Sequence, residues 1–70
     1  MQQERIENAL SNAGELMVVL ESDREYDLHP HDTNIEDGFV KTEGINEEGE
    51  YLEVTFPIER IEHYKLHREV

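Results

Sequence analysis

Four histidines, arranged as two pairs, are the side chains best suited to binding a metal ion: His29, His31, His63 and His67. Residues two apart in an extended segment share a face, so the first pair can present two imidazoles together. The second pair, four apart in a predicted strand, also shares a face. Imidazole binds first-row divalent metals, so a metal site is one hypothesis. The alternative is that all four are exposed surface side chains that bind nothing. Lys65 and Arg68 favour this alternative, because their positive charges beside the second pair repel a metal cation.

Positive side chains gather within nine positions near the end of the sequence: Arg60, His63, Lys65, His67 and Arg68. They alternate with Tyr64 and Leu66 along a predicted strand. This cluster is the candidate surface for contact with an anion. The alternative is charge balance, in which these cations pair with carboxylates on neighbouring strands.

No arrangement of residues is specific to an enzyme. An acid–base pair needs two carboxylates held at a fixed separation in a shielded pocket, whereas the glutamates here fall in loops and beside turns. The sequence has no cysteine, and Ser11 and Ser22 lack the Gly-x-Ser-x-Gly context of a nucleophile. Calcium-loop and phosphate-loop spacings are absent as well. We therefore expect a non-enzymatic protein without a cofactor.

Net charge constrains the partners of this chain. Its 70 residues include 18 Asp and Glu but only 6 Lys and Arg, which gives −12 at pH 7. Such a charge repels phosphate backbones and anionic membrane surfaces. It disfavours free nucleic acid, and it favours a basic protein partner, a role as an acidic mimic of nucleic acid, or a salt-rich cell. Abundant acid with few lysines resembles the composition of halophile proteins.

Apolar spacing predicts one helix and five strands in a single domain, residues 1–70. The helix covers about 2–13, with Gly14 as its C-cap. The strands span 15–21, 25–29, 35–43, 51–56 and 62–68, with a single helical turn at 58–61. Asp37-Gly38 lies inside the third strand and could be a hairpin turn or a bulge; a bulge or kink is favoured, because the residues from Phe39 to Thr42 continue the strand pattern.

Apolar side chains on outer strand faces indicate a subunit contact: Met17, Val19 and Tyr51. A 70-residue chain buries a core of marginal size, so self-association is a reasonable expectation. For the first strand, cover by the N-terminal helix is the alternative. No apolar run approaches the roughly 20 residues of a membrane span, and the first residues lack an apolar signal region, so we expect a cytoplasmic protein.

The order of elements resembles the small β-barrels of the SH3-like and Sm-like group. The sharpest stretch is Val54-Thr55-Phe56-Pro57-Ile58-Glu59-Arg60-Ile61-Glu62-His63, which looks like their junction of strand, short 3₁₀ turn and strand. The resemblance implies a ring that binds single-stranded RNA through an Asp and an Asn, here Asp32 and Asn34. The family's Arg-Gly pair is missing, since Ile61 follows Arg60.

Together these patterns predict an α+β fold, in which an N-terminal helix precedes a strongly bent five-stranded antiparallel sheet. The leading function is a small acidic interaction module that self-associates. An Sm-like RNA binder and an acidic nucleic-acid mimic that inhibits a basic protein are the alternatives.

Overall fold

The computed structural model describes residues 2–45 and 48–66. Two 3₁₀ turns, Pro30–Asp32 and Ile58–Arg60, precede the third and sixth strands. The helix and strands are α1 (Gln3–Ala13), β1 (Leu16–Leu20), β2 (Glu25–Leu28), β3 (Thr33–Glu36), β4 (Phe39–Ile45), β5 (Tyr51–Pro57) and β6 (Ile61–Lys65). Among these residues, no helix combines the length and the apolar character that crossing a membrane requires.

Helix α1 forms where the apolar spacing predicts it. Ile6 and Leu10 are buried, and Ala9 packs against the same core. The helix ends at Gly14, whose φ of 76° is left-handed and whose N–H donates to the carbonyl of Leu10 at 3.0 Å. Glycine adopts this conformation at little steric cost, so both the helix and its C-cap are confirmed.

Six described strands form two antiparallel sheets. The first sheet has the order β2-β1-β6, and the second has the order β3-β4-β5. The first sheet contains a register shift between Val19 and Leu20, where β1 pairs with β6. The alternation of each strand sends one set of side chains to the core and the other outwards.

The predicted strongly bent five-stranded antiparallel sheet is wrong. The structure has six strands in two three-stranded sheets, and these are neither closed nor strongly curled. The error arises at Asp37-Gly38, which forms the turn of a hairpin and divides the predicted third strand into β3 and β4. Glu36 pairs directly with Phe39 across this turn. Both turn residues have positive φ, 53° and 82°, as a two-residue turn of type I′ requires.

One apolar core joins the two sheets and α1. Its fully buried members come from the helix and from both sheets: Ile6, Leu16, Val18, Leu28 and Val40. Tyr26 of the first sheet stacks on Phe56 of the second, with ring centroids 5.3 Å apart. Ile58 of the 3₁₀ turn and Ile61, the first residue of β6, are buried in the same cluster. The predicted helical turn there is confirmed as a 3₁₀ turn.

The ends of two predicted strands differ from the structure. Strand β6 ends at Lys65, and the predicted continuation reaches His67 and Arg68, which lie outside the described residues. Leu66, which the alternation with Tyr64 predicts to share the core-facing side of the strand, is 37% exposed because it follows the end of β6. The strand predicted to end at residue 43 continues further, since Gly44 and Ile45 belong to β4; residues 46 and 47 lie outside the described part.

Candidate functional site

His29 and His31 lie beside one another in the fold. The rings of His29 and His31 lie 5.8 Å apart, between centroids, at the end of β2. Each is near an acid: His29 Nε2 is 3.9 Å from Glu15 Oε1, and His31 Nε2 is 3.7 Å from Asp32 Oδ2. His63 lies in the middle of β6, opposite Val19 of β1, whereas His67 is outside the described residues. In the part of the chain that is described, no group of three or more His, Cys, Asp or Glu could hold a metal ion.

The described cations of the predicted anion surface each lie against a carboxylate. Arg60 Nη1 is 3.7 Å from Glu21 Oε2. Lys65 Nζ is 2.9 Å from Glu25 Oε1, and His63 Nδ1 is 3.1 Å from Glu62 Oε1. The contacts of Arg60 and Lys65 join different elements, as charge balance would, whereas His63 and Glu62 are neighbours on β6.

Asn34, the other candidate for contact with an anion or RNA, lies apart from these cations. It belongs to β3 of the second sheet, where its side-chain amide donates to Glu36 Oε2 at 3.2 Å. Residues 67–70, with the remaining predicted cations His67 and Arg68, are outside the described residues. The structure therefore does not unite Asn34 with the cluster of Arg60, His63 and Lys65.

The outer side of the first sheet carries an ordered pattern of charge. The register places Met17 between Asp27 on β2 and Lys65 on β6, and it places Val19 between Glu25 and His63. Residues opposite one another on antiparallel strands share a face, so each row reads acid, apolar, base. We call this surface the striped face: Glu25, Asp27, Met17, Val19, His63 and Lys65.

The striped face brings together two of the three residues predicted for self-association. Val19 is covered to 7% exposure, although it points away from the main core cluster. Met17 is half-buried and lines a cleft of about 300 Å³ with Leu66 and the charged residues Glu15, Asp27 and Lys65. α1 packs on the core side of β1 through Ile6 and Leu10, so cover by the helix does not account for this outer surface.

Lys65 shows how a cation behaves on the striped face. Its ammonium reaches from β6 across the central strand to Glu25 on β2, at 2.9 Å. The Lys65 stem therefore extends over the apolar column, as long basic side chains commonly do on apolar surfaces. Asp27 makes no ion pair with any described residue, so its carboxylate faces solvent at the rim of the cleft.

Tyr51, the third residue predicted for self-association, lies on the other sheet. It is 66% exposed on the outer side of the β4-β5 hairpin, where its hydroxyl donates to Glu43 Oε2. That hydrogen bond is the main cause that raises the pKa of Tyr51 above its ordinary value. Tyr51 and Met17 therefore belong to two separate surfaces.

Two exposed apolar residues were missed by the sequence analysis. Phe39 is 50% exposed beside the Asp37-Gly38 turn, and Leu52 is 42% exposed near the open end of the second sheet. The exposure of Phe39 could have been predicted from the alternation of the strand, because its neighbour Val40 is buried and successive side chains point to opposite faces. Leu52 shares its face of β5 with Val54 and Phe56, so the alternation predicts that it is buried. It is exposed because the apolar core does not reach as far along β5 as this residue.

Comparison with family models, with curated proteins and with solved structures found no match for this chain. The resemblance to the SH3-like and Sm-like group therefore stays a prediction as to family. The fold that this resemblance implies, a bent five-stranded sheet, differs from the two three-stranded sheets of the structure.

Proposed function

We propose that this chain is a small, acidic, non-enzymatic interaction module of the cytoplasm, and that it self-associates through the striped face. The observation that supports the proposal is the order of the columns across the first sheet. Acids lie along β2, apolar side chains along β1, and basic side chains along β6. A surface with this order is complementary to itself.

Symmetry explains the complementarity. Homodimers are most often related by a two-fold axis, which brings the same patch of both copies together. When two striped faces pack together about a two-fold axis that runs parallel to β1, the order of the columns is reversed in the second copy. The acids of one copy then face the bases of the other. The same axis places Met17 against Met17 of the second copy. A two-fold axis in the plane of the interface but perpendicular to the strands would instead place the acids of one copy against the acids of the other, which is destabilising.

Apolar contact provides the driving force, and charge selects the orientation. Met17 and Leu66 both retain exposed apolar surface at the cleft, and burying that surface is favourable. The net charge of −12 opposes the approach of two copies. Because the Debye length falls to about 3 Å at 1 M salt, we expect association to strengthen from dilute buffer to molar KCl.

The first experiment measures molar mass by size exclusion with light scattering in molar KCl. We expect a dimer with twice the 8.3 kDa mass of the chain. Met17→Glu places a charge in the apolar column and should yield a monomer. Thr55→Glu adds the same charge to the outer side of the second sheet and should leave the dimer intact.

Charge exchange tests the orientation. Asp27→Lys and Lys65→Asp each place like charges opposite one another across the two-fold axis, so each should weaken the dimer. The double variant Asp27→Lys/Lys65→Asp restores opposite charges and should recover it. A wild-type monomer at every salt and protein concentration would contradict the proposal, as would loss of the dimer in Thr55→Glu but not in Met17→Glu. A ring would also contradict it, because a ring needs two different surfaces on each copy.

The other predicted functions gain less support from the geometry. An Sm-like contact with RNA needs cations free to meet phosphates, and Arg60, His63 and Lys65 each lie against an acid. A mimic of nucleic acid is compatible with the net charge, and it stays a prediction.

A further inference from the structure

The four outer strands of the two sheets differ in how well their free edges are protected. An unpaired edge invites another strand, and proteins usually protect it by short length, charged side chains, proline or a bulge. Strands β2 and β3 have four residues each, and β6 has five, three of them charged or His. Strand β5 has seven residues with a single charge, Glu53, and its proline lies only at the end.

The backbone of β5 bonds along one side only. Its partners in the described residues are those of β4, from Phe39–Pro57 to Ile45–Tyr51. No other backbone hydrogen bond of β5 occurs within the described ranges. Among the described residues, the second edge of β5 is therefore the longest and least protected of the four.

Leu52 marks the core-facing side of this edge. Its cross-strand neighbour on β4 is Gly44, where an added Cβ would meet no atom within 4 Å. Leu52 therefore lacks a side-chain partner on β4 while its next neighbour on the same face, Val54, is half-buried. An apolar side chain on a further strand would provide the missing cross-strand contact.

Acidic groups mark the other side of the same edge. Glu53 points outwards from β5, and Glu43 lies directly opposite it on β4. Lys41 Nζ is 3.2 Å from Glu53 Oε1, and Glu43 accepts a hydrogen bond from the uncharged Tyr51 hydroxyl, so the pair of carboxylates has one cation beside it. A strand laid along β5 would place alternate side chains beside Glu53, and positive ones would be favoured there.

We propose that the free edge of β5 binds an extended segment of another protein in which apolar and basic residues alternate. The segment adds a fourth strand to the second sheet, with its apolar residues beside Leu52 and Val54 and its basic residues beside Glu53. A basic partner fits better than a second copy of this chain, because two β5 strands would each contribute Glu53 and two chains of −12 repel one another. This surface is separate from the striped face, which belongs to the first sheet.

The test uses a capped, fluorescent peptide of alternating valine and lysine, added to the whole chain at the lowest KCl concentration that keeps its native near-ultraviolet circular dichroism. Fluorescence anisotropy measures its binding, and amide exchange measured by NMR reports protection. We expect the amides of β5 to gain protection when the peptide binds and those of β2 to stay unchanged. A peptide of the same sequence with N-methyl groups on all of its backbone amides keeps its charge but cannot donate hydrogen bonds to the edge of β5, and we expect it not to bind.

Two matched leucine variants locate the site. Leu52→Lys should weaken binding about tenfold, since it removes the apolar contact and adds a positive charge. Leu66→Lys makes the same change at an exposed leucine beside the first sheet and should change affinity less than about twofold. Met17→Glu, which disrupts the proposed dimer, should bind the peptide as the wild type does, so the two proposals can fail independently.

Several outcomes would overturn the proposal. They are equal binding of the N-methylated peptide, absence of binding, and equal loss of affinity in both leucine variants. Protection of β5 amides that rises with protein concentration alone would show that a second copy occupies the edge. The protection measurement uses the wild type, so it decides the matter even where Leu52→Lys fails to fold.

Discussion

Tyr51 and Glu43 illustrate how a single contact sets the chemistry of an exposed residue. The hydroxyl of Tyr51 donates to Glu43, and this bond, with the negative charges of Glu43, Asp32 and Glu53, raises the pKa of Tyr51. The folded chain therefore holds this proton to a higher pH than the unfolded chain does. The stabilisation is fully present below the unfolded pKa and is lost as the pH rises through the folded pKa.

Removing Glu43 should lower the pKa of Tyr51 towards its ordinary value. Ultraviolet titration of the wild type minus that of Tyr51→Phe isolates the ionisation of this one phenol. We expect a midpoint above 10.0 in the wild type and a lower midpoint in Glu43→Ala. Glu62→Ala removes an exposed acid from the other sheet and serves as the control. An unchanged midpoint in Glu43→Ala would show that the hydrogen bond is not the cause.

The Asp37-Gly38 turn shows how a short segment organises several elements. It connects β3 to β4, and the N–H of Gly38 donates to Gln3 Oε1 of α1 at 2.8 Å. The carbonyl of Gly38 accepts from the N–H of Ile58 at 2.9 Å. This two-residue turn therefore closes a hairpin and, through its hydrogen bonds, also joins that hairpin to the start of α1 and to the 3₁₀ turn before β6.

Gly38→Ala should destabilise the fold by about 1–2 kcal/mol, because an L-residue with a Cβ is strained at positive φ. No atom lies within 4 Å of the added Cβ, so backbone strain is the expected cause. Gly44→Ala is the matched control, since it also has open space but no positive φ. Urea denaturation should give a lower midpoint for Gly38→Ala than for Gly44→Ala with similar slopes. Equal midpoints would contradict a strained turn.

At the scale of the whole molecule, charge opposes folding. A net charge of −12 on 70 residues destabilises a compact state through self-repulsion. The described ion pairs between exposed side chains, such as Lys41 with Glu53, contribute little each. Salt screens this repulsion. If the chain has the predicted halophilic origin, we therefore expect salt to stabilise its folded state, whatever its function is.

Near-ultraviolet circular dichroism should report this dependence. The stacked pair of Tyr26 and Phe56 lies between the two sheets, so its signal requires native packing. We expect the signal to be lost in dilute buffer and recovered in molar KCl. Glu4→Gln/Glu59→Gln lowers the net charge from −12 to −10 and should need less KCl. A sharp melt in salt-free buffer, unchanged by KCl, would contradict a halophilic origin.

Most elements could be predicted from local patterns. The spacing of Ile6, Ala9 and Leu10 predicts α1, and Gly14 predicts its end, since both depend on residues close in sequence. The 3₁₀ turn at Ile58–Arg60 follows from Pro57 and the two isoleucines around it. The interpretation of Asp37-Gly38 was wrong because positive φ at an Asp-Gly pair fits a bulge as well as a hairpin turn, and strand pairing decides between them.

The candidate surfaces needed more than local patterns. The sequence predicted that Met17, Val19 and Tyr51 take part in self-association, but it could not show that Tyr51 lies on another sheet. The row that joins Asp27, Met17 and Lys65 depends on the register of three strands distant in sequence. The free edge of β5 depends likewise on which strands pair.

By itself, the sequence determined the net charge, the absence of cysteine, the N-terminal helix and the places of most strands. Charge and cysteine content are properties of composition, and the elements follow from periodicity within short windows. Only the tertiary structure decided that the six described strands form two sheets, that Lys41, Arg60 and Lys65 meet carboxylates, and that Leu52 lies beyond the core. These features arise from contacts between distant residues, which depend on how the alternating faces are paired and covered.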